Sequence, residues 1–277
     1  MTRDEIIARA EKFTQSGAGN YVSAEKALKE SYVGMKIFEN PIFAFGPADD
    51  EIYEKFKDPD VIGPHFLPPD QWLSGAKTVI SFFLPFTGRI KAANAENFDW
   101  PAEEWLHGRI EGQAFLKELA LDLHKFLTDA GYASIIPSFD SRFKSGGPKN
   151  DAEGERNMFT SNWSERHTAY ACGLGTFGLS KGLITKKGVC GRFGSILTVL
   201  DVEKDVRPYK DVYEYCSMCK ACIPNCPAKA ISETGKDDAL CKAFLDRTLS
   251  KHNPRYGCGK CQVNLPCESR KSRTNLL

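Results

Sequence analysis

Eight cysteines crowd into the stretch from Cys216 to Cys267, and no other feature of this 277-residue chain restricts its fold so strongly. Cys216, Cys219, Cys222 and Cys226 spell C-x2-C-x2-C-x3-C and are followed by Pro227; Cys241, Cys258, Cys261 and Cys267 come after them. Disulfide frameworks belong to short secreted domains that cannot bury a sufficient core. This chain has the length for one sizeable core plus a small accessory unit. Its first residues, Met1-Thr2-Arg3-Asp4-Glu5-Ile6-Ile7, carry no apolar segment of signal-peptide kind, so a cytoplasmic chain with reduced thiols is expected. In that setting clustered cysteines hold metal.

The run ending in Cys226-Pro227 is the one bacterial-type ferredoxins use: three cysteines wrap one 4Fe-4S cubane, and the fourth ligates a different cluster. A second set of ligands is therefore required. Cys241, Cys258, Cys261 and Cys267 supply it, and the count closes at two 4Fe-4S clusters. Crossover logic assigns Cys216, Cys219, Cys222 and Cys267 to the first cluster and Cys226, Cys241, Cys258 and Cys261 to the second. The second set reads C-x16-C-x2-C-x5-C, so internal symmetry is degraded. A zinc site or disulfides is the alternative, but zinc sites pair two C-x2-C units and have no use for a fourth cysteine followed by proline. Cys172 and Cys190 stand apart and read as small buried apolar residues.

Lys and Arg total 37 against 36 Asp and Glu, a net charge of +1, so general nucleic-acid or membrane-surface binding has no electrostatic basis. No apolar run is long enough to cross a membrane. Lys260, Arg270, Lys271 and Arg273 form a small basic patch, which reads as a solvated face or a weak tRNA contact.

Ahead of the cysteines the pattern predicts a mixed α/β domain over residues 1–205. Helices are expected over 4–15 and 22–31, with Ser23 capping the latter, and a short one near Glu51 to Phe56. Ala76 to Leu84 is a continuous apolar strand of a sheet covered on both faces. Gly112 to Ala130 has helical periodicity, and Tyr132 to Ile136 reads as the next strand. A long loop over 138–160, which includes Asp140, Arg142 and Lys144, either closes over a site or is plain surface. Gly182 to Thr185 and Phe193 to Val202 are expected to pair through Lys186-Lys187-Gly188. Arg207-Pro208 marks the passage to a ferredoxin-like domain over 206–277.

Between loop and strands lies Ser161-Asn162-Trp163-Ser164-Glu165-Arg166-His167, leading to Gly173-Leu174-Gly175-Thr176-Phe177-Gly178. Ser161 or Ser164 can cap a helix that this turn ends. The glycines follow a helix rather than a strand, which argues against a dinucleotide fold. Trp163, Gly173, Gly175, Phe177 and Gly178 are candidates to approach a large planar cofactor. Arg166 and His167 are the candidate catalytic pair: with Glu165 they offer an anion clamp and a general acid, or else structural contacts.

Several of these residues together resemble the epoxyqueuosine reductase family and its relatives, the reductive dehalogenases. The shared text is Trp72-Leu73-Ser74-Gly75-Ala76, the Gly173-Leu174-Gly175 turn, Gly194-Ser195, the four-cysteine run and Tyr256-Gly257-Cys258-Gly259-Lys260-Cys261-Gln262. The resemblance implies an α+β fold with a nitroreductase-like core and a small double-cluster domain. It also implies a cobalamin held base-off in the core, with the double-cluster domain capping it and feeding electrons to cobalt; an external donor such as a ferredoxin or flavodoxin is expected as partner. The family's proton-donating aspartate, about fourteen residues before the first glycine of the turn, corresponds here to Phe159. Arg166 and His167 are the replacement candidates. The chain ends ten residues after Cys267, without the helical repeats that would grip a tRNA.

The expected activity is that of an iron-sulfur-dependent reductase acting on a small molecule or corrinoid. A rival expectation is an electron-transfer or corrinoid-activating protein without substrate chemistry of its own.

Overall fold

The computed structural model describes residues 1–146 and 159–272. Its centre is a four-stranded antiparallel sheet in the order β1-β2-β6-β3, built from β1 (Ile42–Pro47), β2 (Thr78–Pro85), β3 (Ser134–Ile135) and β6 (Gly191–Thr198). Every residue of β2 is buried, as its unbroken apolar text requires. Alternation sorts its side chains into two layers. Ile80, Phe82 and Leu84 join Phe45 and Ile196 in one core, whereas Val79 and Phe83 join Ile42, Ala44 and Leu197 in the other. Burying each such side chain contributes roughly 1.5–3 kcal/mol.

The first core is closed by α1 (Arg3–Ser16), α4 (Gly88–Glu96) and α5 (Glu103–Asp129), through Ile6, Ile90, Phe115, Leu119 and Leu123. The second is closed by α2 (Ile52–Lys55), α3 (Pro69–Trp72) and α6 (Glu165–Ala171), through Tyr53, Trp72, Ala169 and Cys172. Two short hairpins complete the strands: β4 (Gly175–Phe177) with β5 (Leu183–Thr185), and β7 (Ile231–Ser232) with β8 (Gly235–Lys236). The last helix is α7 (Asp238–His252), capped by Asp237.

Three expectations need correction. Residues 22–31 do not form a helix; Ser23 O accepts from Lys26 and Ala27 in a single turn, and a 3-10 turn follows at Glu30–Tyr32. α5 begins nine residues before Gly112, because Gly108 and Gly112 are spacers rather than breakers. A Cβ at Gly108 would stand 2.8 Å from Phe86, and one at Gly112 would stand 2.9 Å from Phe38.

The third concerns the strand of Leu183, which pairs with β4 instead of β6. After Thr185 the chain turns tightly at Gly188, which has a φ of 82°, and Val189 donates to Cys267 O at 2.9 Å. The residues between the strands are thus bracketed by the cysteine-bearing segment, and β6 is released into the main sheet. Of the long loop, residues 147–158 lie outside the described residues.

The cysteine region is tied to α5 through Arg255, whose guanidinium donates to both Glu111 carboxylate oxygens at 2.7 and 2.8 Å. His107 bonds the same carboxylate at 2.8 Å. Burial alone would raise Glu111; the bonds from His107 and Arg255 outweigh it and hold the carboxyl at about 2.

Candidate functional site

A cavity of about 1460 Å³ is bounded by α5, α6, β4, β6 and part of the cysteine region. Single small-molecule sites run roughly 300–1,000 Å³, so this one has room for a large cofactor together with a substrate. Four of the eight clustered cysteines line it: Cys226, Cys241, Cys258 and Cys261.

The thiols crowd one another, and Cys222 feels Cys261 as well as Cys216 and Cys219. Burial raises Cys267 to about 12, and the next contributions come from Cys216, Cys219 and Cys222. Burial likewise raises Cys258 to about 12, followed, beyond a lowering backbone bond, by Cys261, Cys241 and Cys226. Each thiol in such a group loses its proton when it ligates metal, so these raised values report unmetallated crowding. Cys219 is the exposed member; the other seven are partly buried. Among the described residues no three His, Cys, Asp or Glu side chains are close enough to hold a single metal ion. Eight thiolate donors are the ligand chemistry that iron-sulfur clusters require.

On the α6 side the sequence folds as its capping residue dictates. Ser164 occupies the N-cap, and its hydroxyl bonds His167 Nδ1 at 2.8 Å instead of a backbone amide. His167 is wedged between Phe56 and Phe177, with ring centroids 5.3 and 4.8 Å away. Burial, and secondarily Arg166, lowers it to about 4. Such a shift favours the neutral ring at neutral pH. Arg166 donates to Lys181 O at 2.6 Å. Its side chain is accessible, yet it is surrounded by protein, because solvent reaches it from inside the cavity.

Glu165, beside them, is the stronger proton carrier. Ser195 Oγ donates to its Oε2 at 2.6 Å, and Trp163 Nε1 donates to that same Oγ at 2.9 Å. Oε1 is buried and has no hydrogen-bond partner among the described residues. Burial raises this carboxyl to about 7, against the lowering effect of Ser195, Ser138 and Trp163. The signal in the sequence was Glu165 itself, four residues before the buried Ala169 on a short helix; what it lacked was Ser195, thirty residues away on β6.

The other candidates divide. Trp163 is 1% exposed, flanked by Tyr53 and Phe66 at 6.4 and 5.9 Å, and serves packing and the Ser195 bond. Gly173 has a φ of 94° and lets the chain pass Arg207 and Pro208. At Gly175 a Cβ would stand 2.2 Å from Ile184 O, so the close approach it permits is to β5 and not to a ligand. Phe177 and Gly178 line the cavity, and a Cβ at Gly178 would stand 3.7 Å from Cys216 Sγ. Cys172 and Cys190 are each 1% exposed; burial pushes the Cys172 thiol to about 12, so both are packing residues. Lys260 is fully buried, with Nζ donating to Asn94 O and Oδ1 at 2.7 and 2.9 Å, so it is no part of a surface basic patch. Arg273 lies outside the described residues.

No family model matches the chain. Over 223 residues, 76% of this chain and 53% of the relative, it is 26% identical to an epoxyqueuosine reductase of Bacillus anthracis. Over 123 residues, 39% of this chain, it is 33% identical to one of Gloeobacter violaceus. The chain is related to the epoxyqueuosine reductases. It spans about half the length of the Bacillus epoxyqueuosine reductases it matches. A crystal structure of an epoxyqueuosine reductase superposes with a TM-score of 0.50 at 20% identity, covering 84% of this chain and 63% of the other. A catabolic reductive dehalogenase superposes with a TM-score of 0.51 at 14% identity, covering 83% of this chain and 30% of the other. Those likenesses are ones of fold: the mixed α+β architecture is shared with epoxyqueuosine reductases and reductive dehalogenases alike. No described helix is long and apolar enough to cross a membrane.

Proposed function

We propose that this chain is an iron-sulfur-dependent reductase whose chemistry takes place in the cavity between α6, β6 and the second cysteine group. The observation that carries the reading is the shared wall: Cys226, Cys241, Cys258 and Cys261 border the same space as Glu165, Arg166 and Phe177. Cys216, Cys219, Cys222 and Cys267 would hold one 4Fe-4S cluster, and the four cavity-lining cysteines the other. When bound, the clusters supply one-electron transfers, and a cobalamin in the cavity would supply the reducing centre that acts on a substrate.

The residues present are compatible with that cofactor. The volume exceeds what a small ligand needs, and Phe177, Trp105 and Phe193 give apolar walls for a broad planar group. The chain's own tasks are then distinct. Exposed Cys219 puts its ligand group within reach of an external donor such as a ferredoxin or flavodoxin. Glu165 stores a proton near neutral pH on a carboxyl whose Oε1 has no hydrogen-bond partner among the described residues. Ser195 fixes the carboxyl by donating to Oε2, and Trp163 holds Ser195 in place by donating to its Oγ. Aromatic packing around His167 keeps water from the wall behind them.

Among the relatives' folds, one structure carries an epoxyqueuosine-modified tRNA stem loop. For this chain a small-molecule substrate is favoured, because Lys260 is withdrawn from the surface and the expected basic patch is reduced accordingly. The reading is tested by anaerobic reconstitution and titration with cobalamin, followed by absorbance and EPR. Iron-sulfur absorption with no cobalamin binding at any concentration tried would refute the cobalamin part and favour an electron-transfer protein.

A further inference from the structure

Three guanidiniums line the same cavity: Arg109 from α5, Arg166 from α6 and Arg192 from β6. None of them forms an ion pair among the described residues. Arg109 donates to the Tyr256 hydroxyl at 2.8 Å, Arg166 to Lys181 O, and Arg192 to Gln113 Oε1 at 3.0 Å and to Arg109 O at 3.1 Å. All four acceptors are neutral. Arg192 Nε is buried and has no partner. The charges also feel one another: burial lowers Arg192 to about 9, and both Arg109 and Arg166 lower it further.

Cys261, Asp238 and Cys241 act on Arg166 through space, but no lining carboxylate among the described residues is hydrogen-bonded to any of the three. Asp50 is taken by Arg207, Asp238 by Lys181 at 3.2 Å, and Glu165 is held by Ser195. Like charges gathered on one cavity wall, with a buried donor left over at Arg192 Nε, favour an anion that completes them. A guanidinium's fixed fork matches the paired oxygens of a carboxylate or phosphate.

We propose that Arg109, Arg166 and Arg192 bind the oxyanion of the substrate, so that the reductase proposed above acts on a small molecule bearing a carboxylate or phosphate. The inference rests on that reading for the word substrate, and on the geometry alone for the anion site. The three side chains come from three different elements and line the cavity that Glu165 also lines, so an anchored anion would place the rest of the molecule in the same space as that carboxyl.

Inorganic phosphate and benzoate, titrated by calorimetry into the full chain with its reconstituted clusters at low ionic strength, are suitable probes. One of them binds, and Arg192→Met weakens that binding about tenfold or more, the loss of one charge-assisted pair, while Arg192→Lys keeps part of it. The cluster EPR signals stay as in the parent. If Arg192→Met does not fold, Arg166→Gln gives the same weakening from an accessible position.

The proposal is overturned if neither probe binds, or if the variants bind as the parent does. It is equally overturned if the variants move the cluster signals and leave probe affinity intact, because the arginines would then serve the cluster's charge. Displacement of phosphate by cobalamin but not by cobinamide, which lacks the nucleotide phosphodiester, would assign the site to the cofactor tail and overturn it as well. Because the readout is binding, arginine-dependent anion binding in a chain without reductase activity would count against the reductase reading alone.

Discussion

Ser195 Oγ lies 2.6 Å from Glu165 Oε2, and that bond joins the sheet's second inner strand to the short helix at the cavity wall. It leaves one carboxylate oxygen engaged and the other buried without a partner among the described residues, an environment that favours the protonated acid.

Replacing Glu165 by Gln should lower turnover about 100-fold, the usual contribution of a positioned general acid. The parent's rate should fall as pH rises through about 7, where the carboxyl loses its proton, and the variant should lose that limb. A pH-rate profile that is the same in both proteins would remove Glu165 from the chemistry.

Glu165 also has a stability signature. Its folded value of about 7 lies above the ordinary 4.5, so the folded state binds more protons and stability falls as pH rises between the two. The loss is on the order of 3 kcal/mol, at 1.36 kcal/mol for each pH unit. In urea denaturation between pH 5 and 8, the parent's stability relative to Glu165→Gln should fall by this amount as pH rises.

His167 works in the opposite direction. Its folded value of about 4 lies below 6.5, so the unfolded state binds more protons and stability is lost as pH falls through that interval. The two slopes offset each other in the parent near pH 5 to 6, and each single variant exposes the other's. His167→Gln should leave the pH-rate profile near pH 7 unchanged, since the ring carries no proton to give there. A lost alkaline limb in that variant would restore His167 as the acid.

Arg255→Met should destabilise the chain by about 3 kcal/mol, because it leaves the Glu111 carboxylate buried with His107 alone. Glu111 is held near 2, so the contribution is present above about 4.5 and is lost as pH falls toward 2. Denaturant midpoints at pH 7 and pH 3 check both the size and the sign.

What could be read from the sequence follows from how local each signal is. β2 was legible because an unbroken apolar run between Gly75 and Pro85 has few other solutions. The eight clustered cysteines were legible from spacing, whereas their partition between two clusters is a proposal that spacing alone suggests. The true pairing of β5 was not, since it depends on Gly188 turning under residue 268, where a Cβ would stand 2.2 Å from Glu268 O. Gly108 and Gly112 hid the first turns of α5 for a similar reason: their space is claimed by Phe86 and Phe38 from distant segments. Glu165 was named only as a neighbour of Arg166 and His167, because its oxygen partner, Ser195, comes from another strand.

The central claim is that eight cysteines form two cluster sites, one of them on the cavity wall. Iron analysis with EPR of the anaerobically reconstituted chain and of Cys267→Ser tests it most directly. The account predicts about eight irons per chain in the parent and about four in the variant, with the signal of the cavity-side cluster retained. About four irons in the parent, or loss of the cavity-side signal in Cys267→Ser, would contradict it.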